Sequence, residues 1–172
     1  MKQATVSIVA SVLLVLIALF LWGYAGKGGT AASVQGASRP DTQTQGALVA
    51  PETFYNFGTI SMKDGNVTKE FQVSNPTSAT VKVSTVVTSC MCTKAFVIGP
   101  DGTTKGPFGM PGMGYVPPAN EFIPGGESRT IRVVYDPNAH GPAGVGRIDR
   151  FITLTDDSGN VLRFEIVANV TP

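Results

Sequence analysis

The chain has 172 residues, a formal net charge of +1 and 15% charged residues, against roughly 25% in an ordinary soluble domain. Setting residues 1–47 aside removes Lys2, Lys27, Arg39 and Asp41 and leaves 10 basic against 11 acidic residues. That balance, with no basic run, speaks against nucleic acid as a partner, because binding it needs clustered positive charge. About 125 residues remain, enough for one hydrophobic core.

Residues 1–25 read as an N-terminal membrane anchor. Ala4 to Trp22 carries no charge. Nineteen residues at 1.5 Å each make a helix of about 28 Å, close to the thickness of a bilayer core. Trp22 and Tyr24 follow, where aromatic rings favour the interface. Lys2 keeps the short N-terminus inside. This predicts a single-pass protein of a bacterial cytoplasmic membrane, with the rest on the periplasmic or extracellular side. A cleaved signal peptide is the rival reading: Gly23-Tyr24-Ala25 offers small residues for a peptidase, but the apolar core is longer than usual. Both readings export the remainder. Residues 26–50, rich in Gly, Ala, Ser, Thr and Gln, read as a flexible linker.

Residues 51–172 are expected to form the domain. Val67, Lys69, Phe71 and Val73 alternate with Thr68, Glu70, Gln72 and Ser74, and Phe71 and Val73 should face the core. The same period of two runs through Val81, Val83, Thr85 and Val87, through Ile131, Val133 and Tyr135, and through Leu162, Phe164, Ile166, Ala168 and Val170. Further strands are expected at Phe54–Ile60, Thr93–Ile98 and Ile148–Thr155. Turn signals separate them, among them Asp64-Gly65, Asn75-Pro76, Asp101-Gly102 and Pro124-Gly125-Gly126. About seven short strands with frequent turns predict an all-β, immunoglobulin-like antiparallel sandwich. Residues 99–120, rich in Gly and Pro, interrupt the rhythm as one long loop, and loops of that length are often functional.

Several strings resemble the bacterial domain of unknown function 1573. Tyr55-Asn56-Phe57-Gly58-Thr59-Ile60 is similar to its opening F-D-F-G-x-I. Phe71-Gln72-Val73-Ser74-Asn75 resembles F-x-F-x-N. Ser89-Cys90-Met91-Cys92-Thr93 resembles S-C-G-C-T with Met91 in place of Gly. Pro124-Gly125-Gly126-Glu127 resembles P-G-E with one extra Gly, and Tyr135-Asp136-Pro137 is close to F-D-P. The resemblance implies an Ig-like sandwich related to domains of cilia- and sperm-associated proteins. It also implies an exported or membrane-anchored bacterial protein. The family has no agreed activity, so the resemblance speaks to fold more than to function.

Cys90 and Cys92 are the only cysteines. In an extended strand their Cα atoms would lie about 6.6 Å apart, so a disulfide requires a local bend. Four readings stand open: a disulfide, two idle thiols, a redox pair, or a soft-metal site for copper(I), with Met110 and Met113 as additional ligands. No other cofactor is expected. His140 is the only histidine and sits in the turn Asn138-Ala139-His140-Gly141-Pro142, where a turn residue with no chemical role competes with a ligand. No nucleophile elbow, paired carboxylates or phosphate-binding glycine loop appears, so no catalytic residues are assigned and an enzyme is not expected. The expected function is a membrane-tethered, extracytoplasmic binding or scaffold module. Phe108, Met110, Met113 and Tyr115 of the long loop are the expected contacts to a protein partner. A copper(I)- or thiol-handling protein is the alternative.

Overall fold

Strands that alternate apolar and polar side chains can bury one face only by pairing two sheets across a shared core. The computed structural model describes residues 46–172, and the expected anchor and the linker up to residue 45 lie outside the described residues. Nine strands occur among them: β1 (Phe54–Ser61), β2 (Val67–Ser74), β3 (Val81–Thr88), β4 (Thr93–Ile98), β5 (Thr104–Phe108), β6 (Glu121–Ile123), β7 (Ser128–Tyr135), β8 (Gly146–Asp156) and β9 (Val161–Thr171). One sheet has the order β1-β9-β8-β3-β6 and the other β2-β7-β4-β5. All pairings are antiparallel except β1 with β9. With β5 and β6 set aside, β2, β7 and β4 face β1, β9, β8 and β3. This is the immunoglobulin-like division of consecutive strands between two sheets. Two 3-10 turns, Met62–Asp64 and Gly141–Gly144, complete the elements. No helix among the described residues is long and apolar enough to cross a membrane.

Phe71, Val73, Ile131, Val133 and Tyr135 of one sheet meet Val83, Val86, Ile152, Leu154, Phe164 and Ile166 of the other, all essentially inaccessible to solvent. The rings of Phe71 and Phe164 lie 4.7 Å apart across the interface. Full burial of a side chain of this size contributes about 1.5–3 kcal/mol. Thus the alternation in β2, β7 and β9 points inward as expected.

In β3 the alternation fails. Val81 and Val83 are buried, but so are Val86 and Thr88, while Thr85 is exposed and Val87 only half-buried. The register against β8 shifts between Val83 and Thr85. Ser84 sits at the shift: its Oγ donates to the Thr155 carbonyl (2.9 Å) and its own carbonyl accepts from the Ala119 amide (2.9 Å). A bulge reverses the phase of every later side chain.

The sandwich also holds more than the expected seven strands. Residues 99–120 are not one structureless loop, because β5 pairs with β4. Gly106 permits this. Its φ is +123°, and a Cβ there would lie 2.9 Å from the Ala95 carbonyl oxygen. Packing also begins before residue 51: Leu48 joins the core and Val49 bridges to Ser74.

Asn75 anchors the turn after β2 and is fully buried. Its Nδ2 donates to the carbonyls of Ala79 (2.7 Å) and Ile123 (2.8 Å), and its Oδ1 accepts from the amide and hydroxyl of Thr77 (3.1 and 2.7 Å). The Gly125-Gly126 turn docks on the same loop, with the Gly126 amide 2.8 Å from the Asn75 carbonyl.

Candidate functional site

Antiparallel strands that end together bring their loops together. At the end of the sandwich where β3 stops, Ser89 to Cys92 turns the chain into β4. The Thr93 amide donates to the Cys90 carbonyl at 3.1 Å, closing a tight turn. The turn brings the Cys90 and Cys92 Cα atoms to 5.2 Å, and the two sulfurs are joined as a disulfide. Thr88 Oγ1 reaches the carbonyls of both Cys90 (3.0 Å) and Thr93 (3.1 Å). Cys90 and Cys92 are 8% and 2% exposed, while Met91 between them is 41% exposed.

The loop after β7 lies against this turn. The Asp136 amide donates to the Cys92 carbonyl at 2.8 Å, and the Asp136 carboxylate accepts from the Asn138 amide at 2.8 Å. Asn138 Nδ2 ties the loop to the Met62 carbonyl (2.8 Å). Tyr135 roots it in the core and Pro137 is buried beside it. The result places His140 Nε2 3.2 Å from Cys90 Sγ. On the other side, Arg150 Nε donates to Cys92 Sγ at 3.3 Å. The ligand atoms of Cys90, Cys92 and His140 all lie within 4.8 Å of one another. Burial holds the Tyr135 phenol above its ordinary pKa, against the opposing charge of Arg150.

Both cysteines are among the residues singled out from the sequence; the contact of His140 with Cys90 and the approach of Arg150 are not. A signal for Arg150 was present, since it occupies the inward phase of β8 between Ile148 and Ile152. A charged residue on an apolar face needs a buried polar partner.

The expected contact loop divides. Phe108 is 1% exposed and belongs to the core, so it is not a surface contact. As the last residue of β5 it pairs with Ala95, which turns its ring inward. Met110, Met113 and Tyr115 are 36%, 58% and 86% exposed. The loop's first residue, Gly109, accepts from the Thr88 amide at 3.0 Å, so its root lies two positions from Cys90.

At the opposite end, Glu121 and Arg129 form a largely buried pair (2.5 Å), with Lys105 Nζ 2.7 Å from the second Glu121 oxygen and Glu127 on the Arg129 guanidinium. They border an open groove of about 360 Å³ that also touches Asp101 and Thr103. Burial pushes the Glu121 pKa up. The hydrogen bonds and charges of Arg129 and Lys105 outweigh it, and the net shift is downward.

Residues 48–99 match the family described as protein of unknown function (DUF1573). The match runs from Leu48 to the end of β4 and includes Asn75, Cys90 and Cys92; His140 and Arg150 lie beyond it. No curated protein matches the chain. Among solved structures, the chain is similar to a protein of unknown function from Porphyromonas gingivalis W83. The TM-score is 0.51 and the identity 15%, over 72% of this chain and 46% of that one. The chain therefore spans less than half of that protein, and the likeness concerns the fold alone. Weaker likenesses reach the VesB protease of Vibrio cholerae (TM-score 0.48, 13% identity, 74% of this chain and 33% of that one). The ASH / PapD-like domain of human CEP192 is at a similar level (0.46, 12%, 83% and 96%).

Proposed function

We propose that the chain is a non-catalytic binding module of the bacterial cell envelope, displayed on the periplasmic or extracellular side by a membrane-spanning segment within residues 1–25. One observation carries the binding reading. Met110, Met113 and Tyr115 are solvent-exposed on a loop whose two ends are fixed to β3, through Gly109 to Thr88 and Ala119 to Ser84. Exposed apolar side chains on an anchored loop offer a partner protein contact area with little ordering cost. The disulfide supports an oxidising compartment, where such bonds persist.

The test is crosslinking followed by pull-down from the native envelope, comparing the wild-type chain with Met110→Ser/Met113→Ser/Tyr115→Ser. Loss of a specific crosslinked protein is the expected result. An unchanged set of partners removes the loop from the reading. Retention of the chain in the soluble fraction removes the tether.

A further inference from the structure

The sulfurs of Cys90 and Cys92 and the imidazole of His140 converge on one point, from a turn and a loop that hydrogen bonds hold together. We propose that reduction of the Cys90–Cys92 bridge converts this point into a three-coordinate copper(I) site with Cys90 Sγ, Cys92 Sγ and His140 Nε2 as ligands. The proposal goes beyond the binding reading and does not depend on the Met110–Tyr115 loop.

The bridge must open first, because a disulfide sulfur is not a thiolate ligand. A dithiol reductant supplies two electrons and two protons. Its own sulfurs join as a disulfide, the Cys90–Cys92 bond breaks, and each cysteine becomes a thiol. Copper(I) then displaces both thiol protons to solvent and takes two thiolates and one neutral imidazole.

The geometry fits. Bonds of about 2.3 Å to sulfur and about 2.0 Å to nitrogen in a trigonal arrangement put the donor atoms roughly 3.7–4.0 Å apart. The three donors already lie within 4.8 Å of one another, so the two sulfurs need only rotate apart about their own side chains. The turn that spaces their Cα atoms at 5.2 Å rests on backbone and Thr88 hydrogen bonds, which do not require the S–S bond. His140 is exposed and gives the metal a route in from solvent.

Donor type and donor number select the metal. Thiolates favour copper(I), and a structural zinc site wants four ligands where three converge.

The experiment uses the full chain in detergent, reduced anaerobically with dithiothreitol and desalted, and titrates copper(I) in competition with bicinchoninate. The expected result is one copper(I) per reduced chain, none for the oxidised chain, and none for Cys90→Ser/Cys92→Ser. His140→Ala should weaken binding at least tenfold, and Met110→Ser/Met113→Ser should leave it unchanged. The oxidised wild type is the control with an intact fold if the double serine variant does not fold. Equal binding by reduced and oxidised chains, or by wild type and His140→Ala, overturns the site. So does a tenfold loss in the methionine variant, or tighter binding of zinc(II) than of copper(I).

Discussion

His140 Nε2 lies 3.2 Å from Cys90 Sγ although 50 positions of sequence separate the two residues. Nothing local to either residue produces that contact. It follows from β4 and β7 being neighbours in one sheet, which sets Thr93 opposite Tyr135 and brings the turns before one and after the other side by side. Arg150 approaches the same disulfide from the facing sheet, on β8. The site is therefore assembled from three segments and both layers.

The disulfide should add little to global stability. It closes a loop of only three residues, and the entropy removed from the unfolded chain grows with loop length. Reduction should cost about 1–2 kcal/mol, read as a modest fall in the urea midpoint at unchanged m-value. A loss of the cooperative transition on reduction would contradict this.

Asn75→Ala should destabilise the domain by about 2–4 kcal/mol. The substitution strips hydrogen bonds from the carbonyls of Ala79 and Ile123 and from Thr77, and leaves buried polar groups without partners. Equilibrium denaturation measures it, and a cost under 1 kcal/mol would mean that water replaces the amide.

Gly125→Ala should be harmful for a different reason. A Cβ at Gly125 would sit 2.5 Å from the Thr77 carbonyl oxygen and 2.8 Å from the Ser78 carbonyl carbon, both backbone atoms. The Asn75–Ser78 loop must move, at a cost of about 1–3 kcal/mol. By contrast, a Cβ at Gly126 meets nothing, but φ there is +79°, so Gly126→Ala should cost about 1 kcal/mol through backbone strain. Thermal melts of the two variants should rank them in that order.

The buried Glu121–Arg129 pair predicts an acid limb in the stability profile. The Glu121 pKa is lower in the folded chain than its ordinary value of 4.5. The unfolded chain therefore takes up the proton first as pH falls. The contribution of Glu121 is fully present above pH 4.5 and is lost as pH drops through the lower folded value. Glu121→Gln should cost about 2–3 kcal/mol at neutral pH by leaving Arg129 without its main counter-charge. The gap between wild type and variant should shrink below pH 4.5. A constant gap down to pH 2 in denaturant titrations would show that the pairing is not what stabilises this corner.

Alternation by itself determined the fold class and most of the core. Phe71, Val73, Ile131, Val133, Tyr135, Phe164 and Ile166 are inward because a strand's side chains repeat every two residues. For Cys90 and Cys92 the spacing set only a condition, that a bridge requires a bend, because an extended strand holds two such cysteines too far apart for an easy bridge. Tertiary structure decided the rest. The bulge at Ser84 moved Val86 and Thr88 inward, and it depends on bonds to Thr155 and Ala119 that the local sequence does not contain. Phe108 became core only through pairing of β5 with β4. Whether a turn histidine meets a cysteine depends on which strands are neighbours. Side-chain periodicity records which way a residue points, and strand pairing across the sandwich settles what it meets there.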